Sequence, residues 1–285
     1  MIIKDYKKDE VNEMTNLPSI KNMFFNEGEL YLTKNNTVIK RIRNTYGDYF
    51  GNKLYTIHSL INSQDKINIE ELVYPSNLIS VDDVVVGYEM PFIEGITLDE
   101  YLKSPKIELE SKLDALKKVG MILRKMKDVR ENKNIEDFFL NDLHEKNFIV
   151  TPSTNIKVVD LDSCSISSNL KFGTKYVSSM TPIKNFSKYK PVTKGNCGAE
   201  FIPSEETDLY CYIIMLLNFL SGTRMHIVSI EGFNVYLNYL ATIGFNKELL
   251  DAISHIYSDI PNTNIDYLLD SINKTTCDKA RVRTR

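Results

Sequence analysis

One short stretch of the chain combines residue types that phosphoryl chemistry uses. Asp142 and Asn147 lie five residues apart, and Asp160 follows thirteen residues after Asn147. A carboxylate can take the proton of an attacking hydroxyl group, and carboxylate and amide oxygens bind Mg²⁺ beside nucleotide phosphates. The pattern predicts that Asp142 orients and deprotonates a hydroxyl group, whereas Asn147 and Asp160 hold Mg²⁺.

A predicted hairpin must position Asp160. Phe148–Val150 and residues 156–159 flank a Thr-Pro-Ser-Thr-Asn turn, which is typical of two short antiparallel strands. Asp160 follows the second strand directly, so the hairpin would return it toward Asn147. In the alternative interpretation, Asp142 and Asn147 are turn residues that bond local backbone groups. The shared loop with Asp160 favours the chemical interpretation.

Upstream of this loop, the hydrophobic pattern predicts a small sheet with one helix. Strands are predicted over 23–25, 29–33, 37–42, 70–73 and 84–90, and a helix over 46–62. Short turns join the first three strands into an antiparallel meander. From Thr97 onward the pattern is mainly helical, with a capping box at 97–100, an amphipathic stretch at 109–129 and a buried helix at 208–220.

Composition narrows the possible functions. The 285 residues include 35 basic and 38 acidic side chains, a net charge of −3, so we expect no nucleic-acid partner. The longest apolar run, Ile213–Leu217, is too short to cross a membrane. Four widely spaced cysteines argue against a disulfide framework or a zinc site. We expect a cytoplasmic protein with no membrane partner.

In order and spacing, these motifs resemble the protein-kinase-like superfamily, as in bacterial or phage-type protein kinase domains. Members of this superfamily have an aspartate, an asparagine five residues later and a metal-binding aspartate after a short hairpin. The resemblance implies a bilobal α+β fold. A small antiparallel-sheet N-lobe would span residues 1–92, and a mainly helical C-lobe residues 93–285.

The resemblance also implies nucleotide-binding roles upstream. Lys40, in Thr37-Val-Ile-Lys-Arg-Ile, matches the strand lysine that pairs with the α- and β-phosphates of ATP. Gly28 lies where a phosphate-covering loop is expected. Met90 would gate the back of the adenine pocket, and backbone groups near Pro91 and Ile93 would bond the adenine edge.

The family's usual partner for Lys40 is absent from the predicted helix. The helix contains Asp48 but no glutamate, and Glu70 and Glu71 are alternatives only if the helix extends further. The partner is therefore left open. A lysine on a short strand also has an alternative interpretation as a surface residue whose amine reaches solvent.

Three other positions extend or depart from the resemblance. Asp162 stands where the family has glycine, and we interpret it as a solvated residue, with a further metal ligand as the alternative. Asp208 matches the aspartate that braces the catalytic loop from below, and it would also serve as a helix N-cap. His144 would contact the transferred phosphate or pack the loop.

The resemblance implies an ATP- and Mg²⁺-dependent phosphotransferase, and a protein serine/threonine kinase is the leading prediction. Forty-five residues separate Asp160 from Glu205, and protein kinases use this stretch to hold a polypeptide substrate. Asp142-Leu-His144 instead resembles aminoglycoside and choline kinases, which makes a small-molecule acceptor the alternative. A pseudokinase scaffold and transfer of a whole nucleotide also remain open.

Overall fold

The structure, a computed structural model, describes residues 3–17, 28–133, 135–166, 172–173, 194–195, 198–201, 204–222, 230–258 and 265–274. These residues form an α+β fold in which a six-stranded sheet precedes most of the helices. The strands of this sheet are β1 (Ile3–Tyr6), β2 (Thr15–Leu17), β3 (Gly28–Leu32), β4 (Thr37–Ile42), β5 (Asn77–Val81) and β6 (Val84–Pro91). Their order across the sheet is β1-β5-β6-β4-β3-β2.

The sheet is mixed, so the prediction of an antiparallel sheet is confirmed only in part. β1 pairs with β5 in parallel, with Ile3 opposite Leu78, whereas the other neighbouring strands are antiparallel. A parallel pair needs a long connection, and no local turn in the sequence indicates one. The strand β1 therefore lies in a polar segment with no strand pattern of its own, and it forms by pairing with the distant β5.

The strand predictions over 29–33, 37–42 and 84–90 are confirmed by β3, β4 and β6. The prediction over 70–73 is wrong, because this segment makes only an isolated bridge between Leu72 and Val158. The strand that follows α2 is instead β5, which the pattern did not indicate. The predicted strand at 23–25 lies outside the described residues.

The helices of the described residues begin with a short α1 and a long α2. The full set is α1 (Lys8–Asn12), α2 (Gly47–Ile67), α3 (Leu98–Lys103), α4 (Leu109–Asn132), α5 (Glu205–Ser221), α6 (Ile230–Thr242), α7 (Lys247–Ser258) and α8 (Ile265–Asn273). The predicted capping box is confirmed, since Thr97 accepts from the Glu100 amide and Glu100 bonds back to Thr97. Across the stretches that the structure describes, no helix has the length and apolar character that a membrane span requires.

Two small sheets accompany the helices. The first contains β7 (Ile96–Thr97), β8 (Phe148–Val150) and β9 (Ile156–Val158); the second contains β10 (Phe172–Gly173), β11 (Lys194–Gly195) and β12 (Gly198–Phe201). Antiparallel pairing of β8 with β9 confirms the predicted hairpin. Single turns of 3-10 helix at Glu145–Asn147 and Leu161–Ser163 flank this hairpin and carry much of the candidate site.

Apolar packing holds α2 against one face of the large sheet. Phe50 and Ile57 of α2 lie in one buried cluster with Val38, Ile42 and Met90 of the sheet. Burial of each such side chain contributes about 1.5–3 kcal/mol relative to leaving it exposed. This packing gives α2 a defined position above β4, the strand that carries Lys40.

The segment after α2 connects the sheet to the hairpin. The amide of Val158 donates to the carbonyl of Glu71 at 2.8 Å, and the amide of Val73 donates to the carbonyl of Val158 at 2.9 Å. A second, larger apolar cluster includes Leu72 and Tyr74 together with side chains of α4 and α5. The hairpin is therefore fixed against the sheet and against the helices at the same time.

Candidate functional site

Lys40 lies on β4 with its side chain buried. Residues opposite each other in neighbouring strands project to the same face, and Lys40 lies opposite Tyr88 of β6. The lysine is 5% exposed and forms an ion pair with Asp160. The alternative interpretation of Lys40 as a surface residue is therefore wrong.

The loop that carries Asp142 is held from below by Asp208. The carboxylate of Asp208 accepts the backbone amides of Leu140 and Asn141, each at 2.8 Å. Burial raises the pKa of Asp208 to about 6, although these two amides oppose the effect. Ser204 is the N-cap of α5, so Asp208 is not the cap but a residue of the first turn. The expected bracing contact is present.

The loop and the hairpin come together at Asn147. The nitrogen of its side-chain amide donates to the carbonyl of Asp142 at 3.0 Å. Its backbone carbonyl accepts the amide of Val159 at 2.9 Å, one residue before Asp160. The structure therefore brings the loop of Asp142 and Asn147 next to the backbone that presents Asp160.

His144 is oriented toward the carboxylate of Asp142. Nδ1 of His144 accepts the Lys146 amide at 3.2 Å, so the proton of a neutral ring lies on Nε2. Nε2 lies 3.4 Å from Oδ2 of Asp142. Burial disfavours the charged form of Asp142, but the hydrogen bond to His144 is the largest of the effects that oppose it, and the pKa of Asp142 is lowered. An ionised Asp142 is a proton acceptor near neutral pH.

Asp160 is the most accessible carboxylate beside Lys40. Its backbone adopts the left-handed conformation, with φ of 64°, at the start of the turn Leu161–Ser163. Its side chain is 36% exposed, and the hydroxyl group of Tyr88 lies 3.4 Å from Oδ1. Burial raises the pKa of Asp160, and the charge of Lys40 opposes this effect. Burial also raises the pKa of Tyr88, so its hydroxyl keeps its proton.

Gly28 begins β3 close to Lys40. A Cβ atom at this position would lie 2.6 Å from the carbonyl oxygen of Arg41 and 3.4 Å from Cε of Lys40. Such a separation from a backbone oxygen is too short for any side chain. Residue 28 must therefore be glycine because the backbones of β3 and β4 approach closely at this point.

The residues expected around adenine lie at the end of β6. Met90 is buried among apolar side chains of the sheet, and Ile93 packs against the same cluster. The Phe92 amide donates to the carbonyl of Asn36 at 3.2 Å. Backbone polar groups alternate in direction along a strand, so the Pro91 carbonyl points away from β4. This places an outward-facing acceptor beside an apolar wall.

Two charged side chains at the site are buried, Lys53, which the sequence analysis missed, and Asp162, whose burial it did not predict. Lys53 of α2 and Asp162 have fully buried side chains, with Nζ of Lys53 3.0 Å from Oδ1 of Asp162. Asp162 Oδ2 lies 2.9 Å from Nζ of Lys40. The interpretation of Asp162 as a solvated residue is therefore wrong. A signal for Lys53 was present, because its spacing from Phe50 and Ile57 is that of one buried helix face.

The acidic residues considered as partners of Lys40 are elsewhere. Asp48 is exposed in the first turn of α2. Glu70 lies 3.6 Å from Lys157 with a side chain that is 91% exposed, and Glu71 pairs with Lys125. Lys40 instead meets Asp160 and Asp162. Although burial disfavours the charged amine, these two carboxylates raise the pKa of Lys40 well above its ordinary value.

The donor set is compatible with Mg²⁺ bound together with a nucleotide, but not with an all-protein metal cage. Among the described residues, no three His, Cys, Asp or Glu side chains are grouped closely enough to hold a metal ion. Mg²⁺ at nucleotide sites usually takes one or two carboxylates and completes its shell with phosphates and water. The partly exposed Asp160 and the side-chain oxygen of Asn147 fit that requirement.

Comparison with other proteins adds no family assignment. No protein-family model matches the chain, and no curated protein matches it either. Most of the stretch expected to hold a substrate, between Asp160 and Glu205, lies outside the described residues. Glu205, at its end, lies 2.9 Å from Arg130 of α4.

Proposed function

We propose that the protein is an ATP- and Mg²⁺-dependent phosphotransferase with a bilobal, protein-kinase-like fold. The observation that carries the proposal is the meeting of three separate elements at one point. The loop of Asp142 and Asn147 is bonded to the backbone before Asp160, and Asp160 pairs with the buried Lys40. A turn-forming role for Asp142 and Asn147 would not require this arrangement.

Each residue has a distinct role in the proposed reaction. Lys40 would bind the phosphates, and Asn147 and Asp160 would hold Mg²⁺, which would supply positive charge beside the phosphates. Asp142 accepts the proton of the attacking hydroxyl group, since His144 favours its ionised form.

We propose a protein serine or threonine hydroxyl group as the acceptor. The support is the forty-five-residue separation between Asp160 and Glu205, a length that protein kinases use to hold a polypeptide. A small-molecule hydroxyl is the second candidate, supported by the Asp142-Leu-His144 sequence and by the contact between Asp142 and His144.

The test is label transfer from γ-labelled and α-labelled ATP with Mg²⁺, with and without a generic protein substrate. Wild type should transfer the γ-label to protein, whereas Asp142→Asn should lose turnover and still bind nucleotide, because only the proton acceptor is removed. Asp137→Asn is the matched control, since Asp137 is exposed in the segment before the loop. Its turnover should equal that of wild type.

The other outcomes separate the alternatives. Transfer of the α-label would indicate nucleotide transfer instead of phosphoryl transfer. Nucleotide binding without labelled protein would favour a small-molecule acceptor or a pseudokinase scaffold. Equal turnover by wild type and Asp142→Asn would refute the role assigned to Asp142.

A further inference from the structure

Two lysines and two aspartates form a closed group of charges between α2, β4 and the turn after the hairpin. Asp162 lies between the lysines, with one oxygen 3.0 Å from Lys53 and the other 2.9 Å from Lys40. Asp160 pairs with Lys40 from the exposed side. Two positive and two negative charges balance, as buried ionic groups require.

Asp162 is in no position to bind a metal ion. Its side chain has no exposure to solvent, and each carboxylate oxygen faces a lysine amine. Asp162 is therefore a buried carboxylate that lies between the amines of Lys40 and Lys53.

Lys53 is fixed in turn by several neighbours. Its amine lies 3.2 Å from Oγ of Ser163 and 5.2 Å from the centre of the Tyr49 ring. Tyr49 and Lys53 belong to α2, whereas Asp162 and Ser163 belong to the turn after β9. The pair thus joins the helix to the turn at a buried point.

We propose that Asp162 is the positioning residue for Lys40, and that the bridge Lys53–Asp162–Lys40 couples α2 to the nucleotide-binding lysine. In the superfamily that the sequence resembles, a glutamate of the helix pairs with the strand lysine. Here the helix supplies a lysine, Lys53, and the turn supplies the carboxylate, Asp162. This inference rests on the proposed function, since it assigns Lys40 to the phosphates. It adds that Asp162 and Lys53 act through Lys40 without touching nucleotide or metal.

Stability measurements test the bridge itself. Asp162→Asn leaves two lysines facing one aspartate, so it should lower the unfolding midpoint strongly. Lys53→Met added to Asp162→Asn removes the excess charge, and the double variant should be more stable than Asp162→Asn alone. Lys112→Met is the matched control, because Lys112 is a buried helical lysine on α4. Additive effects of the two substitutions would overturn the bridge.

Nucleotide binding tests the positioning role. The Kd of Mg·ATP, measured by calorimetry, should rise about tenfold in the Lys53→Met/Asp162→Asn double variant even though its fold is recovered. Lys112→Met should bind Mg·ATP as wild type does. A role confined to stability would leave the Kd of the double variant unchanged, and that result would overturn the proposal.

A cycle with Lys40→Met shows whether the bridge acts through Lys40. Once Lys40 is removed, the double substitution should have no further effect on the Kd, because its target is gone. Additive losses would mean that Asp162 contributes independently, for example as a metal ligand, and would overturn the inference. Failure of wild type to bind Mg·ATP at all would instead overturn the proposed function, and the positioning role with it.

Discussion

Replacement of Asp208 by asparagine gives a direct test of the electrostatics under the loop. Asparagine keeps the size of the side chain but cannot ionise. Because the amides of Leu140 and Asn141 bond different oxygens of Asp208, asparagine can accept only one of them, a loss that does not depend on pH. The variant therefore removes one titrating group at a buried position. Any pH-dependent difference in stability between the two proteins reports on Asp208.

The direction follows from the raised pKa. Burial raises the pKa of Asp208 to about 6, about two units above that of an ordinary aspartate. Protonation therefore favours the folded state, and this stabilising contribution is complete below about pH 4 and is lost as the pH rises through about 6. At about 1.4 kcal/mol per pKa unit, the advantage of wild type over Asp208→Asn should shrink by about 1 kcal/mol between about pH 5 and about pH 7.

Urea unfolding of both proteins at matched pH values measures this difference, because all other groups titrate in both. The Asp208→Asn variant therefore controls for the titration of every group other than Asp208. A difference that stays constant between about pH 5 and about pH 7 would show that Asp208 does not titrate there. A difference that grows with pH would show that the two backbone amides outweigh burial and that the ionised form is preferred.

Three substitutions test the local packing and capping. Gly87→Ala should destabilise by about 3 kcal/mol, since its Cβ would lie 1.9 Å from the carbonyl oxygen of Lys40. Gly51→Ala should stabilise the protein by about 0.5–1 kcal/mol, because Gly51 lies on α2 and a Cβ there would have no atom within 4 Å. Thermal unfolding that showed a similar loss of stability for both glycine substitutions would contradict the reasoning. Thr97→Ala should cost about 1 kcal/mol through loss of the capping box, whereas an unchanged midpoint would mean that the bond to Glu100 contributes nothing.

The local arrangement of the loop and the hairpin could be predicted because it depends on short spacings. Asp142, Asn147 and Asp160 belong to one loop and one hairpin, and antiparallel pairing of β8 with β9 brings the ends of that hairpin together. Lys40 was recognisable from its strand. The capping box at Thr97 likewise depends on only four consecutive residues, 97–100.

Contacts between distant segments were not predictable in the same way. Sequence patterns indicated that α2 has a buried face, but not that Lys53 on that face meets Asp162, more than a hundred positions later. The pairing of β1 with β5 is a second example.

The physical reason is that local and distant interactions leave different traces in a sequence. Turns, caps and amphipathic periodicity depend on neighbouring residues, so composition and spacing determine them. A buried charge is tolerated only when an opposite charge reaches it, and that partner can come from any segment that the fold brings near. The local arrangement of the loop was therefore determined by the sequence alone. The partner of Lys40 was instead decided by how α2, β4 and the turn at Asp162 pack together.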